Sequence, residues 1–274
     1  MLNTVQNPIK LKLKKFGLVL IGLYVMISAL MYFMQEKLLF LPTVLEQNYQ
    51  FQFNHNFEEI NLEADDGASL NAIHFKVENP KGVLLYFHGN AGDLSRWGTV
   101  VEFFVAKGLD VLIMDYRTYG KSTGKLSEAT FYSDAQLFYD YLKEDYKESD
   151  ITVYGRSLGT GIATYVASKN APKQLILETP YYSMAHVAKA RYPILPVDSL
   201  LKYQFPTFEF IQNVECPIVM FHGTDDHVIP YESAEKLYDT SPKKRTKFIT
   251  IKDANHNNLI DFEAYRNYID ELFS

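Results

Sequence analysis

The chain has 274 residues, of which 47% are apolar and 22% charged, so it can bury a full core in one or two domains. This composition excludes an intrinsically disordered chain. The net charge is −6, and residues 1–15 hold four lysines and no acid, so the remaining 23 Lys and Arg against 33 Asp and Glu give −10. An acidic body argues against a nucleic-acid partner. The single cysteine excludes an internal disulfide, and no metal-ligand spacing or phosphate-binding loop predicts a metal or cofactor.

An apolar stretch without charge, residues 16–34, follows the basic residues. It can cross a hydrocarbon core of about 30 Å at about 1.5 Å per residue. We therefore expect a basic cytoplasmic tail (1–15), a single-pass transmembrane anchor (16–34) and a connector (35–56). The positive-inside rule places residues 57–274 on the extracytoplasmic, periplasmic side. A cleaved signal peptide fits less well, because the stretch exceeds a usual signal core and no Ala-x-Ala pattern follows it.

Buried strands alternate with helical segments across residues 57–274. The predicted strands are 59–64, 69–77, 82–87, 109–115, 151–154, 174–177, 216–221 and 247–251. The predicted helices are 93–106, 127–146, 162–169, 231–238 and 261–273. The first two strands flank Asp65-Asp66-Gly67, which is a hairpin signal. The alternation predicts an α/β fold with a mostly parallel central sheet and helices on both faces.

Residues 181–214 interrupt this alternation with prolines and many aromatic side chains. They fall between two predicted strands, so they must lie over the carboxyl ends of the sheet. We interpret this insertion as a small cap that lines an apolar pocket. The alternative is a packed connection that does not touch the substrate.

One strand is followed by the sequence Gly155-Arg156-Ser157-Leu158-Gly159 and then by a helical segment. Strand, Gly-x-Ser-x-Gly and helix together predict a nucleophile elbow. The turn is so sharp that neighbouring side chains would collide, and Gly155 and Gly159 remove them. Ser157 is therefore the predicted nucleophile, and the N–H of Leu158, at a helix start, a predicted oxyanion donor.

A serine nucleophile needs a base, which an acid in turn orients. With this type of elbow, the acid and then the histidine follow the serine along the chain. Here Asp226 follows one later strand and His256 follows the next, both at strand carboxyl ends. We assign Asp226 as the acid and His256 as the base, with Asp225 as the alternative acid.

The sequence His88-Gly89-Asn90 follows the strand expected to lie beside the elbow strand. Gly89 permits close backbone approach, and the N–H of Asn90 would be the second oxyanion donor beside Leu158. We expect His88 to hold this loop by hydrogen bonds rather than to act as the general base.

Taken together, these motifs resemble the membrane-anchored α/β-hydrolases, including fungal bud-emergence-related proteins and their bacterial relatives. The resemblance covers about residues 35–274 and rests on five segments: 82–92, 115–124, 155–159, 223–230 and 255–258. It implies an α/β-hydrolase fold with Ser157, Asp226 and His256 as the triad. One departure is Thr118, where the family commonly has glycine. The family includes esterases, thioesterases and peptidase-like proteins.

The predicted function is hydrolysis of a carboxylic ester or thioester, acyl or lipid-like, by a membrane-anchored serine hydrolase. Its predicted partners are that small-molecule substrate and the lipid bilayer. A serine aminopeptidase is the first alternative, for which Glu178 would have to hold the substrate amine. The second is a non-catalytic tethered binding protein on a hydrolase scaffold.

Overall fold

The structure, a computed structural model, describes residues 8–274 and begins with a long helix, α1 (Pro8–Leu39). Part of the predicted basic tail, residues 1–7, lies outside the described residues. The helix extends beyond the predicted span 16–34 at both ends, because neither residues 9–15 nor residues 35–39 contain a proline or a glycine. The C-terminal end of α1 enters the body of the protein, where Gln35 and Phe40 are buried.

Within residues 8–274, eight strands form one mixed sheet in the order β10-β9-β8-β7-β4-β6-β3-β2. These are β2 (Phe57–Glu63), β3 (Ser69–Phe75), β4 (Val83–Phe87), β6 (Asp110–Met114), β7 (Ile151–Arg156), β8 (Gln174–Glu178), β9 (Ile218–Gly223) and β10 (Thr246–Ile251). The β2–β3 pair is the predicted antiparallel hairpin, β3 also pairs antiparallel with β6, and the remaining pairs are parallel. A separate two-stranded ribbon joins β1 (Leu41–Pro42) to β5 (Ala91–Gly92). The mostly parallel central sheet is confirmed.

Helices cover both faces of this sheet. They are α2 (Leu94–Val105), α3 (Glu128–Asp145), α4 (Leu158–Lys169), α8 (Tyr231–Thr240) and α9 (Glu263–Leu272). Alternate residues of β4 belong to opposite cores: Leu85 packs with the α3 and α4 side, and Leu84 with the α2 and α9 side. Central strands are therefore buried on both faces, which explains their continuous apolar sequences.

Two predicted element boundaries were wrong for local reasons. The predicted strand 216–221 is observed at Ile218–Gly223: the Pro217 carbonyl oxygen accepts a hydrogen bond from the Leu175 N–H, but proline has no N–H to donate to the ladder. The helix predicted at 162–169 starts at Leu158, because Ser157 itself is the N-cap of α4. The elbow thus has no loop between nucleophile and helix.

Between β8 and β9, which pair in parallel, the crossover contains three short α-helices. They are α5 (Met184–Arg191), α6 (Val197–Leu200) and α7 (Thr207–Phe210). This segment coincides with the insertion at 181–214, which we refer to below as the cap. Part of it packs against α1, since Gln35 and Leu200 are hydrogen-bonded.

Candidate active site

Ser157 lies at the sharp turn between β7 and α4 with φ 52° and ψ −118°. A non-glycine residue in this region stores about 1–3 kcal/mol of strain. The turn is tight on both sides: a Cβ on Gly155 would lie 2.4 Å from the Gly159 carbonyl oxygen, and one on Gly159 would lie 2.0 Å from that of Phe87. The geometry of this turn therefore requires glycine at both positions of the Gly-x-Ser-x-Gly motif.

The structure brings Ser157, Asp226 and His256 together from three separate strand ends. The Oγ of Ser157 is 2.9 Å from Nε2 of His256. The Nδ1 of the same ring is 2.7 Å from Oδ2 of Asp226. With Nδ1–H donating to the carboxylate, Nε2 is free to accept the serine proton. This is the geometry that a general-base-activated nucleophile requires.

The conformation of the loop after β9 determines which aspartate contacts His256. Asp226 is 6% exposed, and its Oδ1 accepts hydrogen bonds from the N–H groups of Val228 and Ile229, each at 2.8 Å. Asp225 is exposed to solvent instead. The structure therefore places Asp226, and not the alternative Asp225, against the histidine.

His222, which was not among the predicted site residues, also contacts the acid. Its Nε2 lies 3.0 Å from the Ile229 carbonyl oxygen and 3.3 Å from Oδ2 of Asp226. Burial raises the pKa of Asp226, but hydrogen bonds from His222 and His256 outweigh it and hold that pKa below its usual range. The only feature of the sequence that could have indicated His222 is that it is a polar residue near the end of an otherwise apolar, buried strand.

The two predicted oxyanion donors lie beside the nucleophile. Asn90, Ser157 and Leu158 line one cavity of about 160 Å³. The Asn90 side chain donates a hydrogen bond to the Leu39 carbonyl oxygen at 3.0 Å. The backbone carbonyl oxygen of Asn90 accepts one from the Tyr119 hydroxyl at 2.8 Å. These bonds fix the loop beside the nucleophile.

His88 and Gly89 brace this loop as the sequence suggested. The His88 Nδ1–H donates to the Gly89 carbonyl oxygen at 2.6 Å, and its Nε2 faces Oδ1 of Asp115 at 3.3 Å. Burial raises the pKa of Asp115. A Cβ on Gly89 would lie 3.3 Å from the Trp97 ring and 3.7 Å from the Ser157 Cβ. A side chain at position 89 would therefore crowd the Trp97 ring, whereas its distance to Ser157 would be an ordinary van der Waals contact.

A buried ionic network, also missed at the level of sequence, lies behind the elbow. The Arg156 Nε is 3.2 Å from Oε1 of Glu178, and the Tyr154 hydroxyl donates to Oε2 of Glu178 at 2.5 Å. The Arg156 Nη2 also donates to the Asn257 carbonyl oxygen at 3.3 Å, next to the His256 backbone. The network therefore couples the nucleophile strand to the histidine loop.

Among residues 8–274, no group of three or more His, Cys, Asp and Glu side chains is arranged to hold a metal ion. Around the nucleophile the cavity is predominantly apolar. Its remaining lining comes from α1, the cap and the acid loop: Leu38, Leu39, Tyr181, Met184, Val187, Val228 and Ile229. The site therefore combines a Ser-His-Asp arrangement with space for an apolar group.

Comparison with known proteins agrees with this architecture. Residues 78–209 match the family model described as serine aminopeptidase, S33. The chain superposes on an esterase from Pyrococcus furiosus, Pf2001, with a TM-score of 0.66 and 18% sequence identity, covering 84% of this chain and 97% of the esterase. At this identity the similarity shows the fold.

Relatives with higher sequence identity cover most of both chains. The uncharacterized protein Rv2307c of Mycobacterium tuberculosis is 30% identical over 223 residues, 78% of this chain and 79% of that protein. The lysophosphatidylserine lipase ABHD12 of Danio rerio is 27% identical over 290 residues, 86% of this chain and 74% of the lipase. Protein bem46 of Schizosaccharomyces pombe is 28% identical over 237 residues, 81% of this chain and 78% of that protein. With an eight-stranded sheet, a Gly-x-Ser-x-Gly elbow and these relatives, the chain belongs to the α/β-hydrolase family.

Proposed function

We propose that this protein is a membrane-anchored serine hydrolase that cleaves a carboxylic ester or thioester of an acyl or lipid-like substrate. The observation that carries the proposal is the His256 ring, hydrogen-bonded to Ser157 on one side and to Asp226 on the other. The lipase name of a relative and the esterase fold of a structural neighbour support an ester substrate.

In the first step, the Ser157 hydroxyl attacks the acyl carbonyl carbon while His256 Nε2 takes its proton. The oxygen becomes negatively charged, and the N–H groups of Asn90 and Leu158 stabilise it. When the tetrahedral intermediate collapses, the bond to the alcohol or thiol breaks, and His256 returns the proton to that leaving group. The acyl group is then bound to Ser157.

In the second step, His256 takes a proton from water, and the resulting hydroxide attacks the acyl carbonyl. The Ser157–acyl bond breaks, the serine regains its proton from the ring, and the carboxylic acid leaves. Asp226 holds Nδ1–H throughout and stabilises the imidazolium that forms in each step.

Anchoring of this hydrolase is supported by α1. Its segment Leu11–Leu39 is long and apolar enough to cross a membrane, and none of its apolar window is buried against the protein. A core helix would be buried. The lysines before the span favour a cytoplasmic N-terminus, with residues 57–274 on the periplasmic side. Retention of the anchor is supported by the contacts of its C-terminal end with the body.

Fluorophosphonate labelling tests the proposed chemistry. This probe phosphonylates a serine activated by a neighbouring base and releases fluoride. We expect wild-type protein to be labelled and to hydrolyse p-nitrophenyl esters, and Ser157→Ala to lose both, with hydrolysis falling by roughly 10⁶-fold. An unlabelled wild-type protein would contradict the mechanism and favour a non-catalytic scaffold.

A serine aminopeptidase is the second candidate, favoured by the description of the matching family model. It would need a free carboxylate to hold the substrate amine. Glu178, the residue considered for this role, is 4% exposed and paired with Arg156, Tyr154 and Tyr265. Turnover of aminoacyl-naphthylamides without turnover of p-nitrophenyl esters would nevertheless reverse the order of the two candidates.

A further inference from the structure

We infer that α1 and the cap together form an apolar entry through which the acyl chain of a bilayer lipid ester reaches Ser157 directly from the membrane. This inference rests on the proposed hydrolase function and deepens it, because it names the source of the substrate and its path.

The cap is attached along the side of α1. The Tyr24 hydroxyl donates to the Ile194 carbonyl oxygen at 3.1 Å. Nearer the body, Gln35 Nε2 donates to the Leu200 carbonyl oxygen at 3.1 Å, and Gln35 Oε1 accepts from the Lys202 N–H at 2.7 Å. Tyr24 and Gln35 are separated by about 16 Å along a helix that rises 1.5 Å per residue. The cap therefore accompanies the helix through part of its apolar segment.

The part of the cap that reaches Tyr24 is itself apolar and exposed. Ile194 is 81% exposed and Tyr192 is 43% exposed. Tyr24 belongs to the segment proposed to span the membrane, so Ile194, whose carbonyl oxygen accepts a hydrogen bond from its hydroxyl, lies at the level of the lipid. The nearby Lys189 is paired with Asp198 at 2.7 Å, and Arg191, next to Tyr192, is the other exposed cation of this face. An apolar loop beside a membrane helix fits contact with acyl chains better than contact with water.

A second cavity of about 100 Å³ lies between α1 and the cap. It is closer to the membrane-spanning part of α1 than the catalytic cavity is. Met31 and Leu195 line this outer cavity, and Leu38 and Leu39 line both cavities. On α5, Val187 faces the inner cavity and its neighbour Ala188 the outer one. The two cavities therefore adjoin along a shared apolar wall.

The lining of the outer cavity identifies the class of occupant. No Lys, Arg, His, Asp or Glu is among its lining residues, and Gln35 is hydrogen-bonded to the cap. A charged peptide would find no partner there, whereas an alkyl chain needs none. A chain that enters from the bilayer also moves from one apolar environment to another without crossing water. The geometry thus selects a lipid ester over a water-soluble ester.

Membrane contact of the cap can be tested without any enzymatic readout. The chain has a single tryptophan, Trp97, which is 4% exposed and packed in the core. Full-length Ile194→Trp is reconstituted in phosphatidylcholine vesicles with bromine atoms on the acyl chains. We expect the emission added by this substitution to be quenched by the brominated lipid, and wild-type emission to be unchanged. Unquenched emission from Ile194→Trp would overturn the inference.

The path of the substrate is tested with Ile194→Asp, and with Ile194→Leu as the matched control. Each full-length variant is assayed on a fluorogenic long-chain lipid ester in phosphatidylcholine vesicles and on soluble p-nitrophenyl butyrate. We expect Ile194→Asp to lose at least about 10-fold on the vesicle substrate while butyrate hydrolysis and fluorophosphonate labelling stay at wild-type level. Ile194→Leu should retain all three.

The outcomes separate the two proposals. Wild-type rates of Ile194→Asp on the vesicle substrate would overturn membrane entry and leave the serine hydrolase intact. Absence of labelling and of hydrolysis of both esters in wild type would overturn the hydrolase, and membrane entry with it. Ala188→Trp, which fills the outer cavity, should in addition shift the preferred acyl length downward; an unchanged chain-length profile would count against the path.

Discussion

The catalytic corner, formed by Ser157, Asp226 and His256, and the cap–anchor contact, formed by α1 and the cap, are held by different forces. Each of the three corner residues is at most 8% exposed and has a defined hydrogen-bond partner. In the cap, by contrast, α5 has no fully buried residue among those described, and the cap is joined to α1 by a small set of hydrogen bonds around Gln35. The corner is therefore tightly fixed, whereas only the α5 part of the cap is adjustable, since Tyr203, Phe205 and Ile211 of the same cap are at most 2% exposed.

This difference separates chemistry from substrate selection. Changes in the corner act on bonds that every substrate must use, so they should lower turnover of all esters together. Changes at the cap–anchor contact leave the triad assembled and should alter which acyl chains reach it. The comparison fails if a corner variant discriminates between substrates or if a cap variant disables the nucleophile.

Asp226→Asn should cause a larger loss of turnover than any other change outside Ser157 and His256. The amide preserves the shape but cannot hold the Nδ1–H tautomer of His256, and the equivalent change in a serine protease lowers kcat by about 10⁴-fold. We expect a similar loss on p-nitrophenyl esters of every chain length. Asp225→Asn, one residue away and exposed, is the matched control and should remain within about 2-fold of wild type, since surface changes rarely exceed 0.5 kcal/mol. A loss confined to Asp225→Asn would reassign the acid.

Gly159→Ala should cause the largest loss of stability. Its Cβ would lie 2.0 Å from the Phe87 carbonyl oxygen, on the strand that supports the oxyanion loop. Neither backbone can move without displacing the elbow, so we expect a loss of about 3 kcal/mol or more in the free energy of unfolding. Gly17→Ala, in the exposed part of α1 with nothing within 4 Å, is the control and should not lower stability, since alanine is the better helix former by up to about 1 kcal/mol. Denaturant melts of both variants in detergent make the comparison; equal midpoints would mean that the elbow is not tight.

The corner could be anticipated from sequence because its rules are local. Gly155 and Gly159 frame Ser157 within five positions, Asp226 lies in the loop after the buried strand β9, and His256 lies in the loop after the edge strand β10. The sheet then brings the strand ends together, since parallel strands place their carboxyl ends at one edge. Even Thr118, at a position where the family commonly has glycine, has φ 72°, so the backbone there has kept a left-handed conformation despite the Cβ.

The other contacts could not be anticipated, because they depend on packing between distant residues. Gln35 and Leu200 are hydrogen-bonded although they are 165 positions apart in the chain, and no sequence pattern around either residue indicates this contact. His222 reached Asp226 only because the loop after β9 folds back on its own strand. Glu178 looked like a residue at an accessible strand end, but Arg156 and Tyr154 from the neighbouring strand enclose it. Sequence rules predicted where the chemistry lies but not what surrounds it.

Gln35→Ala should loosen the cap without affecting the corner. The Leu200 carbonyl and the Lys202 N–H would lose their partner, at a cost of about 1–3 kcal/mol if they stay buried. We expect weaker selectivity between long and short acyl chains and unchanged fluorophosphonate labelling. Gln47→Ala, which removes a single bond to the Lys121 carbonyl oxygen from an exposed side chain, is the matched control. If both variants show the same chain-length profile as wild type, Gln35 does not position the cap.

The smallest expected effect concerns pH. Burial lowers the pKa of His186, on α5, and the charges of Lys236 and Lys189 lower it further. The folded cap therefore prefers the neutral ring, and its contribution to stability is complete above the unfolded value of about 6.5 and declines as the pH falls below it. The pKa of Asp226 is lowered as well, but the stabilisation that its carboxylate provides is complete above the unfolded value of about 3.9 and is lost only as the pH falls below that value.

Between pH 6.5 and pH 4 the cap should accordingly loosen while the corner keeps its acid. Hydrogen exchange at pH 7 and pH 5, corrected for intrinsic rates, compares peptides from α5 with peptides from β7 and α4. We expect faster exchange at pH 5 in α5 alone, and no such change in His186→Gln, whose side chain stays neutral. Equal acceleration in both regions would show that the cap and the corner open as a single unit, and the separation of chemistry from substrate selection would then have no structural basis.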